Sequence, residues 1–270
     1  MEIKLWREIL DPYALAVDEL VVKFNHIMHE YRMSGSYSPI EQVNGRVKTI
    51  SSIIEKAKKK NVPLEKMEEK IEDIAGIRII CQFVEDIYKV VDLIRKRTDM
   101  TIKSEKDYIT NAKDSGYRSY HIVVHYNVET MKGTKELQAE IQIRTLAMNF
   151  WATIEHSLQY KYQRNLPDNV KERLSSAADA IKTLDQEMST IRTEIMDAQK
   201  SFKVKATMVA DILNNIQNLY RVLNKTEVLK IQNEFFEIYQ SGDMDRLREL
   251  NRRIDALSEL YNSQSLLFEK

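Results

Sequence analysis

Cysteine is almost missing from this chain: one residue, Cys81, in 270. A lone thiol excludes an intrachain disulfide, and without a His/Cys cluster there is no zinc signature. Cys81 lies in the apolar run IRIICQFV, where a free cysteine is expected to be buried and inert. Glycine (6) and proline (4) are also scarce, and with 30% charged residues this points to long helices with few turns. Net charge is absent too, since 41 Lys+Arg balance 41 Asp+Glu. No global field draws the chain to nucleic acid or to an anionic membrane, so an anion site has to come from local clustering. No stretch approaches the ~18 apolar residues of a membrane-spanning helix. The segment MEIKLWREILDPY has neither a long apolar core nor a small-residue cleavage site, so no signal peptide is read and a cytosolic (cytoplasmic) protein is expected. There is no GxxxxGK[ST] and no Gly-rich dinucleotide loop.

What the chain has is periodicity. Asp11-Pro12 reads as a helix start, followed by an apolar face of Tyr13, Val17, Leu20, Val21, Phe24, Ile27, Met28 and Tyr31. MSGSYSP ends it. NGRVKTISSIIEKAKKKNVP reads as a second helix. Ile50, Ile53, Ile54 and Ala57 form its apolar stripe; Thr49, Ser52, Lys56 and Lys59 lie along a polar side, and Asn61 and Pro63 stop it. After Gly76 the period is two: Ile77, Ile79, Cys81 and Phe83 face one way, Arg78, Ile80 and Gln82 the other. DIYKVVDLIRKRTD returns to helix, and SYHIVVHYNVET and LQAEIQIRTL read as strands joined through KGTK. From Thr145 the chain is almost wholly helical, broken near NLPDN. Val170, Leu174, Ala177, Ile181, Leu184, Met188, Ile191 and Ile195 make a heptad-like seam for a partner helix. The fold class is α+β: a mixed β-sheet flanked by helices, with a long helical C-terminal extension.

Alternation sorts the chemistry by face. In KDSGYRSYH, Tyr117, Ser119 and His121 point one way, Arg118 and Tyr120 the other; in EIQIRT, Glu140, Gln142 and Arg144 share a face. A solvated sheet face explains this pattern as well as a ligand site does. In favour of a ligand stands the density of directional groups: a π-face, a titratable nitrogen, a carboxylate and a bidentate amide. Gly116 lets a ligand or backbone approach closely. Arg46, Lys48, Lys56 and Lys59 sit on or near the second helix, and Arg78 on a strand. Such a stripe is commonly just solvated. Yet neighbouring cations on a helix repel by about 0.2–0.5 kcal/mol per pair, and a polyphosphate would relieve them. Asp73, entering a strand, and Glu140, in mid-strand, make the kind of carboxylate pair that holds Mg²⁺ with phosphate oxygens; Asp73 alone reads equally as a cap. His156, beside Trp151, Ile154 and Leu158, reads as a hydrogen-bonded structural histidine.

GRVK, Lys56, EDIAGIRI, KDYI, KDSGYRSYH and EIQIRT stand in the order and approximate spacing of the RelA/SpoT-type alarmone synthetase domain. From about residue 1 to about residue 200 the chain resembles the single-domain small alarmone synthetases. The resemblance implies a nucleotidyltransferase-like fold that transfers pyrophosphate from ATP to the 3′-hydroxyl of GDP or GTP, giving ppGpp and pppGpp. It implies that Arg46 and Arg78 sandwich adenine and that Lys48, Lys56 and Lys59 bind ATP phosphates. Asp73 and Glu140 would hold Mg²⁺, with Glu140 also activating the acceptor hydroxyl. Tyr117 would stack on guanine, with Lys113, His121 and Gln142 around the acceptor nucleotide. Lys106 stands where some small synthetases carry arginine, and Ser104 where many long enzymes do, which bears on acceptor preference.

No HD-type hydrolase motif is present, so synthesis without degradation is expected. A homo-oligomer is expected, a tetramer favoured. Some tetrameric members bind a second alarmone through residues just before GRVK; here these are Glu41, Gln42, Val43 and Asn44, with no aromatic to stack a base. Residues 1–200 are expected to form the synthetase domain. Residues 201–270 are expected to form a helical extension for packing or oligomerisation, on the spacing of Ile212, Ile216, Leu219, Leu223, Val228, Ile231, Phe235 and Ile238. Two other readings compete. One keeps the fold but acts on adenine nucleotides or the tRNA 3′ end, and zero net charge tells against tRNA. The other is a non-catalytic, nucleotide-binding helical scaffold, against which intact Asp73 and Glu140 tell. Neither nucleic acid nor membrane is an expected partner.

Overall fold

The computed structural model describes residues 6–162, 166–220 and 224–268. Leu223, Asn165 of the NLPDN break and residues 1–5 lie outside these. The first helix, α1 (Trp6–Met33), begins before Asp11 and carries Pro12 inside. The turn signal loses because Trp6, Ile9 and Leu10 pack on the core, extending the face of Tyr13, Val17, Leu20 and Phe24 by another turn. NGRV does not join the second helix. Residues Gln42–Val47 form strand β1, and α2 (Ile50–Lys59) starts only after Thr49, whose side chain accepts from the Ser52 N–H. Cross-strand pairing and a close helix decide this. A Cβ at Gly45 would stand 2.5 Å from a Val17 methyl and 2.7 Å from one of Val21, so only glycine lets α1 cross there.

A short turn of 3₁₀ helix and α3 (Met67–Lys70) lead to β2 (Ala75–Cys81), then α4 (Val84–Arg95). Strand β3 (Met100–Asp107) escaped the sequence reading, because its register shifts between Ile102 and Ser104 and its alternation of burial breaks after Ser104. Strands β4 (Tyr120–Thr130) and β5 (Gly133–Thr145) form the expected hairpin, but the turn is Met131-Lys132 and Gly133 already pairs with Thr130. The sheet order is β1-β2-β5-β4-β3, with only β2 and β5 parallel. Its core holds Ile53, Ile77, Ile79, Cys81, Ile141 and Ile143. Cys81 is fully buried, and that burial pushes its thiol pKa up. No helix among the described residues is long and apolar enough to cross a membrane.

Four helices follow: α5 (Leu146–Lys161), α6 (Asp168–Leu219), α7 (Lys225–Ser241) and α8 (Met244–Phe268). The chain falls into two compact units that part between Thr190 and Ile191. In the first, the start of α6 packs Ala178, Leu174 and Ile181 against Trp151 and Tyr117. The fully covered positions of α6 here are Ala178 and Asp185, one residue past the predicted Ala177 and Leu184; Leu184 and Met188 stay exposed. In the second unit Ile212, Ile216 and Leu219 close a core with Val228, Phe235 and Ile238 of α7 and Leu247, Leu250 and Ile254 of α8.

Asp185 accepts from the Thr145 hydroxyl at 2.8 Å, and Thr145 in turn accepts the Met148 N–H and caps α5. Burial pushes the Asp185 carboxyl up to about 6, against the Thr145 bond and the Arg118 charge. The folded chain therefore holds this proton more tightly than the unfolded one. Stability is gained below the ordinary 3.8 and lost as pH rises through about 6. Asp185→Asn keeps an acceptor for Thr145. It is expected to raise stability above pH 6 by on the order of 1–3 kcal/mol and to flatten the pH 4–6 slope in urea unfolding.

Candidate active site

Two adjacent rows on one face of the sheet build the site. In one, Asn44, Arg78, Gln142, His121 and Lys106 stand side by side across all five strands. In the next, Arg46, Gly76, Glu140, Val123 and Ser104 do the same. Side chains two apart on a strand share a face, so the two rows point the same way. Gly76 leaves a gap of about 110 Å³ between Arg46, Arg78 and Glu140.

On one side of this gap lies a cavity of about 310 Å³ walled by Arg46, Lys48, Lys56 and Lys59 with Thr49 and Ser52. The capped start of α2 aims its polar side there. His156 is exposed on the same wall rather than packed as a structural histidine, which corrects the sequence expectation. On the other side a cavity of about 290 Å³ is lined by Lys106, Lys113, Tyr108, Tyr117, His121 and Gln142. Asp73 and Glu140 line both this cavity and the gap, and Lys56 lines both of the larger cavities.

Asp73 Oδ2 accepts from Lys48 Nζ at 2.8 Å and pairs with Lys56 Nζ at 2.7 Å. Burial pushes this carboxyl up, but the two lysines outweigh it and hold it below the usual range. Its other oxygen, Oδ1, is buried with no hydrogen-bond partner. Glu140 meets His121 Nδ1 at 3.0 Å through Oε1 and accepts from Gln142 Nε2 at 2.8 Å through Oε2. Burial again pushes up, yet the His121 and Gln142 bonds and the Lys56 charge bring the Glu140 carboxyl down to about 2. Arg78 and Arg144 are pushed down from the usual guanidinium range, both by burial first; Arg144 and Arg46 add to it at Arg78, while at Arg144 burial outweighs the opposing pull of Tyr117 and Glu140.

The loop before β4 carries Tyr117 and Lys113. Asp107 shapes its start, Oδ1 accepting from the N–H groups of Ile109 and Thr110. Gly116, at φ +84°, closes it, its N–H donating to Lys113 O at 2.8 Å. Lys113 Nζ lies 4.6 Å from the Tyr108 ring centroid and 4.9 Å from that of Tyr117. Tyr117 and His121 do share one pocket. Ser119, assigned to the same face, is fully buried instead and donates to Ile143 O, because the strand begins only at Tyr120. Arg118 and Tyr120 turn away, to Ala178 O and to Glu105. All twelve residues singled out from the sequence as site residues line these cavities. Sequence reasoning missed Tyr108 and Glu72 on the walls, and the role of Arg144 beneath Tyr117.

Residues 45–165 match the family model described as the region found in RelA / SpoT proteins. GTP pyrophosphokinase YjbM of Bacillus subtilis is 52% identical over 205 residues, 76% of this chain and 97% of the relative. The Bacillus subtilis small alarmone synthetase 1 bound to its product pppGpp superposes with a TM-score of 0.69 at 53% identity, covering 70% of this chain and 97% of that one. The same synthetase bound to AMPCPP gives 0.63 at 49%, over 71% and 98%. With all of the two-row sheet site but Asn44 lying inside the matched region and the likeness spanning nearly the whole of each relative, the chain belongs to the RelA/SpoT family, in its small alarmone synthetase group.

Proposed function

We propose that this protein is a GTP diphosphokinase (pyrophosphokinase): it transfers the β,γ-pyrophosphate of ATP to the 3′-hydroxyl of GDP or GTP, giving ppGpp and pppGpp. One observation carries the reading. Asp73 and Glu140 stand where the gap beside a cation-walled cavity opens onto an aromatic one. The names of its relatives, and the ligands of the two similar structures, support nucleotides on both sides. ATP fits the first cavity and the gap beside it, adenine in the gap between Arg46 and Arg78, phosphates along Lys48, Lys56 and Lys59 in the cavity. GDP or GTP fits the second, with guanine on Tyr117 and Lys106, Lys113, His121 and Gln142 around its ribose and phosphates. Transfer of this kind is mostly positioning and charge neutralisation. Glu140, ionised and fixed by two donors, takes the hydroxyl proton.

The site fits Mg²⁺. The orphaned Asp73 Oδ1 is a buried acceptor awaiting a cation, and Glu140 is the second carboxylate. No three His, Cys, Asp or Glu side chains converge among the described residues, so such an ion would rest on two carboxylates and on substrate oxygens, as Mg²⁺ does. When bound it supplies charge neutralisation on the phosphates. We assign the activity to residues 1–200 and the helical extension to 201–270; the exposed Leu184 and Met188 support self-association of the chain.

Incubation with γ-labelled ATP, Mg²⁺ and each of GDP, GTP, AMP, ATP and tRNA tests the proposal. Label is expected on GDP or GTP, with AMP released in equal amount. Label found only on tRNA or adenine nucleotides, or none transferred, overturns it.

A further inference from the structure

Arg144 has no part in the scheme above, yet it is 3% exposed. Burying a cation is costly unless it is paired or hydrogen-bonded. Among the described residues Arg144 makes no ion pair. What it does make is a fork. Nη2 donates to Gln142 Oε1 at 2.5 Å and to Tyr117 Oη at 3.1 Å, with the guanidinium 5.5 Å from the Tyr117 ring centroid. From those two partners the bonds continue until they meet. Tyr117 Oη lies 2.9 Å from His121 Nε2, His121 Nδ1 lies 3.0 Å from Glu140 Oε1, and Gln142 Nε2 donates to Glu140 Oε2 at 2.8 Å. Five side chains thus close one ring.

Arginine can only donate and an ionised carboxylate can only accept, and the two together orient the ring. Gln142 must turn its oxygen to Arg144, which leaves its NH₂ for Glu140. The Tyr117 oxygen accepts from Arg144 and still has its O–H to give. The Glu140 carboxylate can only accept, so His121 gives it the Nδ1 proton, and with that one proton on the ring Nε2 takes the Tyr117 O–H. Both carboxylate oxygens receive one donor each and keep a lone pair for other partners. Remove Arg144 and the amide is free to flip and the phenol to rotate.

We infer that Arg144 is a positioning residue that locks the Tyr117 platform to the Glu140 base through this ring. The inference rests on the proposed pyrophosphokinase reading. Seating the acceptor's base on Tyr117 and aiming Glu140 at its hydroxyl are then one event, so an acceptor whose base does not seat on Tyr117 meets a misaligned base.

Two measurements test it. Nitrogen NMR of protein labelled at its five histidines reads the ring without any turnover. His121 is expected as the Nδ1–H form in the wild type, and Arg144→Gln is expected to shift its signals. Unchanged His121 signals in R144Q overturn the ring. Kinetics read the coupling. R144Q and Tyr117→Phe are each expected to lower kcat about 10-fold or more, with the KM for ATP within about twofold. The double variant is expected to be no worse than about threefold below the weaker single, because both cut the same ring. Effects that multiply, or an R144Q enzyme within twofold of wild type, overturn the coupling. If R144Q does not fold, Arg144→Met, which keeps an unbranched chain but offers no donor, runs the same cycle with Y117F. Wild-type protein that transfers nothing to GDP or GTP overturns the functional reading and the coupling to it, while the NMR result still decides the ring.

Discussion

Glu140→Gln is expected to lower pyrophosphate transfer by about 10²–10⁴-fold while nucleotide binding stays within about threefold. The two side chains match in volume, and neither needs the sheet to move. What is lost is the acceptor: an amide nitrogen has no lone pair for the ribose proton, and an amide is a poor cation ligand. The Glu140 carboxyl, at about 2, is ionised across the physiological range. So low a value also makes it a weak base, which suits proton uptake late, when the new O–P bond has already made the hydroxyl acidic. The variant also disturbs its neighbours. A glutamine presents one oxygen and one NH₂ where two donors, from His121 and Gln142, now arrive. One of them loses its acceptor at about 1–3 kcal/mol. The sign with pH follows from the lowered carboxyl. The native pair stabilises the fold above the ordinary 4.5, and that share is lost as pH falls toward about 2. Label transfer measured beside calorimetric binding of a non-hydrolysable ATP analogue checks the prediction. A variant retaining more than a tenth of wild-type transfer removes Glu140 from its role.

Alternation alone placed Glu140 and Gln142 on one face of β5, and it placed them rightly. It could not supply register. That Arg78 stands beside Gln142, and Lys106 beside His121, follows from strand pairing, which no period within a single strand reveals. The two edge strands were lost for the same reason. β1 was absorbed into the helix after it, and β3 carries a shift in its register and charges along its length. Without β3 the position of Lys106 rested on the family resemblance, and the row across the sheet now gives it a physical place. Arg144 shows a different limit. Its face was read correctly, but one of its partners, Tyr117, comes from a loop where strand period has no meaning, so its fork was invisible. On α6 the predicted Leu174 and Ile181 do pack, but Ala178 and Asp185 take the places of Ala177 and Leu184, closing on Gly116 and Thr145. Those are a glycine and a hydroxyl, and hydrophobic spacing does not look for them.

Gly116→Ala is expected to cost about 2–4 kcal/mol and to raise the KM for the acceptor nucleotide more than that for ATP. The sequence allowed either a ligand or a backbone to approach this glycine, and the structure shows what comes near. A Cβ there would lie 2.5 Å from the Cβ of Ala178 on α6, with the Ser175 backbone at 3.6 Å. Real Cβ atoms do not approach so closely, so the loop or the helix has to move. A left-handed φ of +84° adds strain of about 1–2 kcal/mol for any residue with a Cβ. Gly133 separates the two costs. It too has a positive φ, +100°, but nothing stands within 4 Å of its Cβ position, so Gly133→Ala should show strain alone. Urea unfolding of both variants is the measurement, and G116A melting no lower than G133A would leave the contact with α6 without weight. A second cycle isolates that contact. Ala178→Gly clears the space at about 1 kcal/mol of helix propensity. G116A together with A178G should therefore be destabilised less than the sum of the two. The loop that loses its place in G116A is the one carrying Lys113 and Tyr117, while Lys48, Lys56 and Lys59 stand on other elements and keep theirs. The damage consequently falls on the acceptor side, and an equal rise in both KM values would mean that α6 braces the whole site rather than the Tyr117 loop.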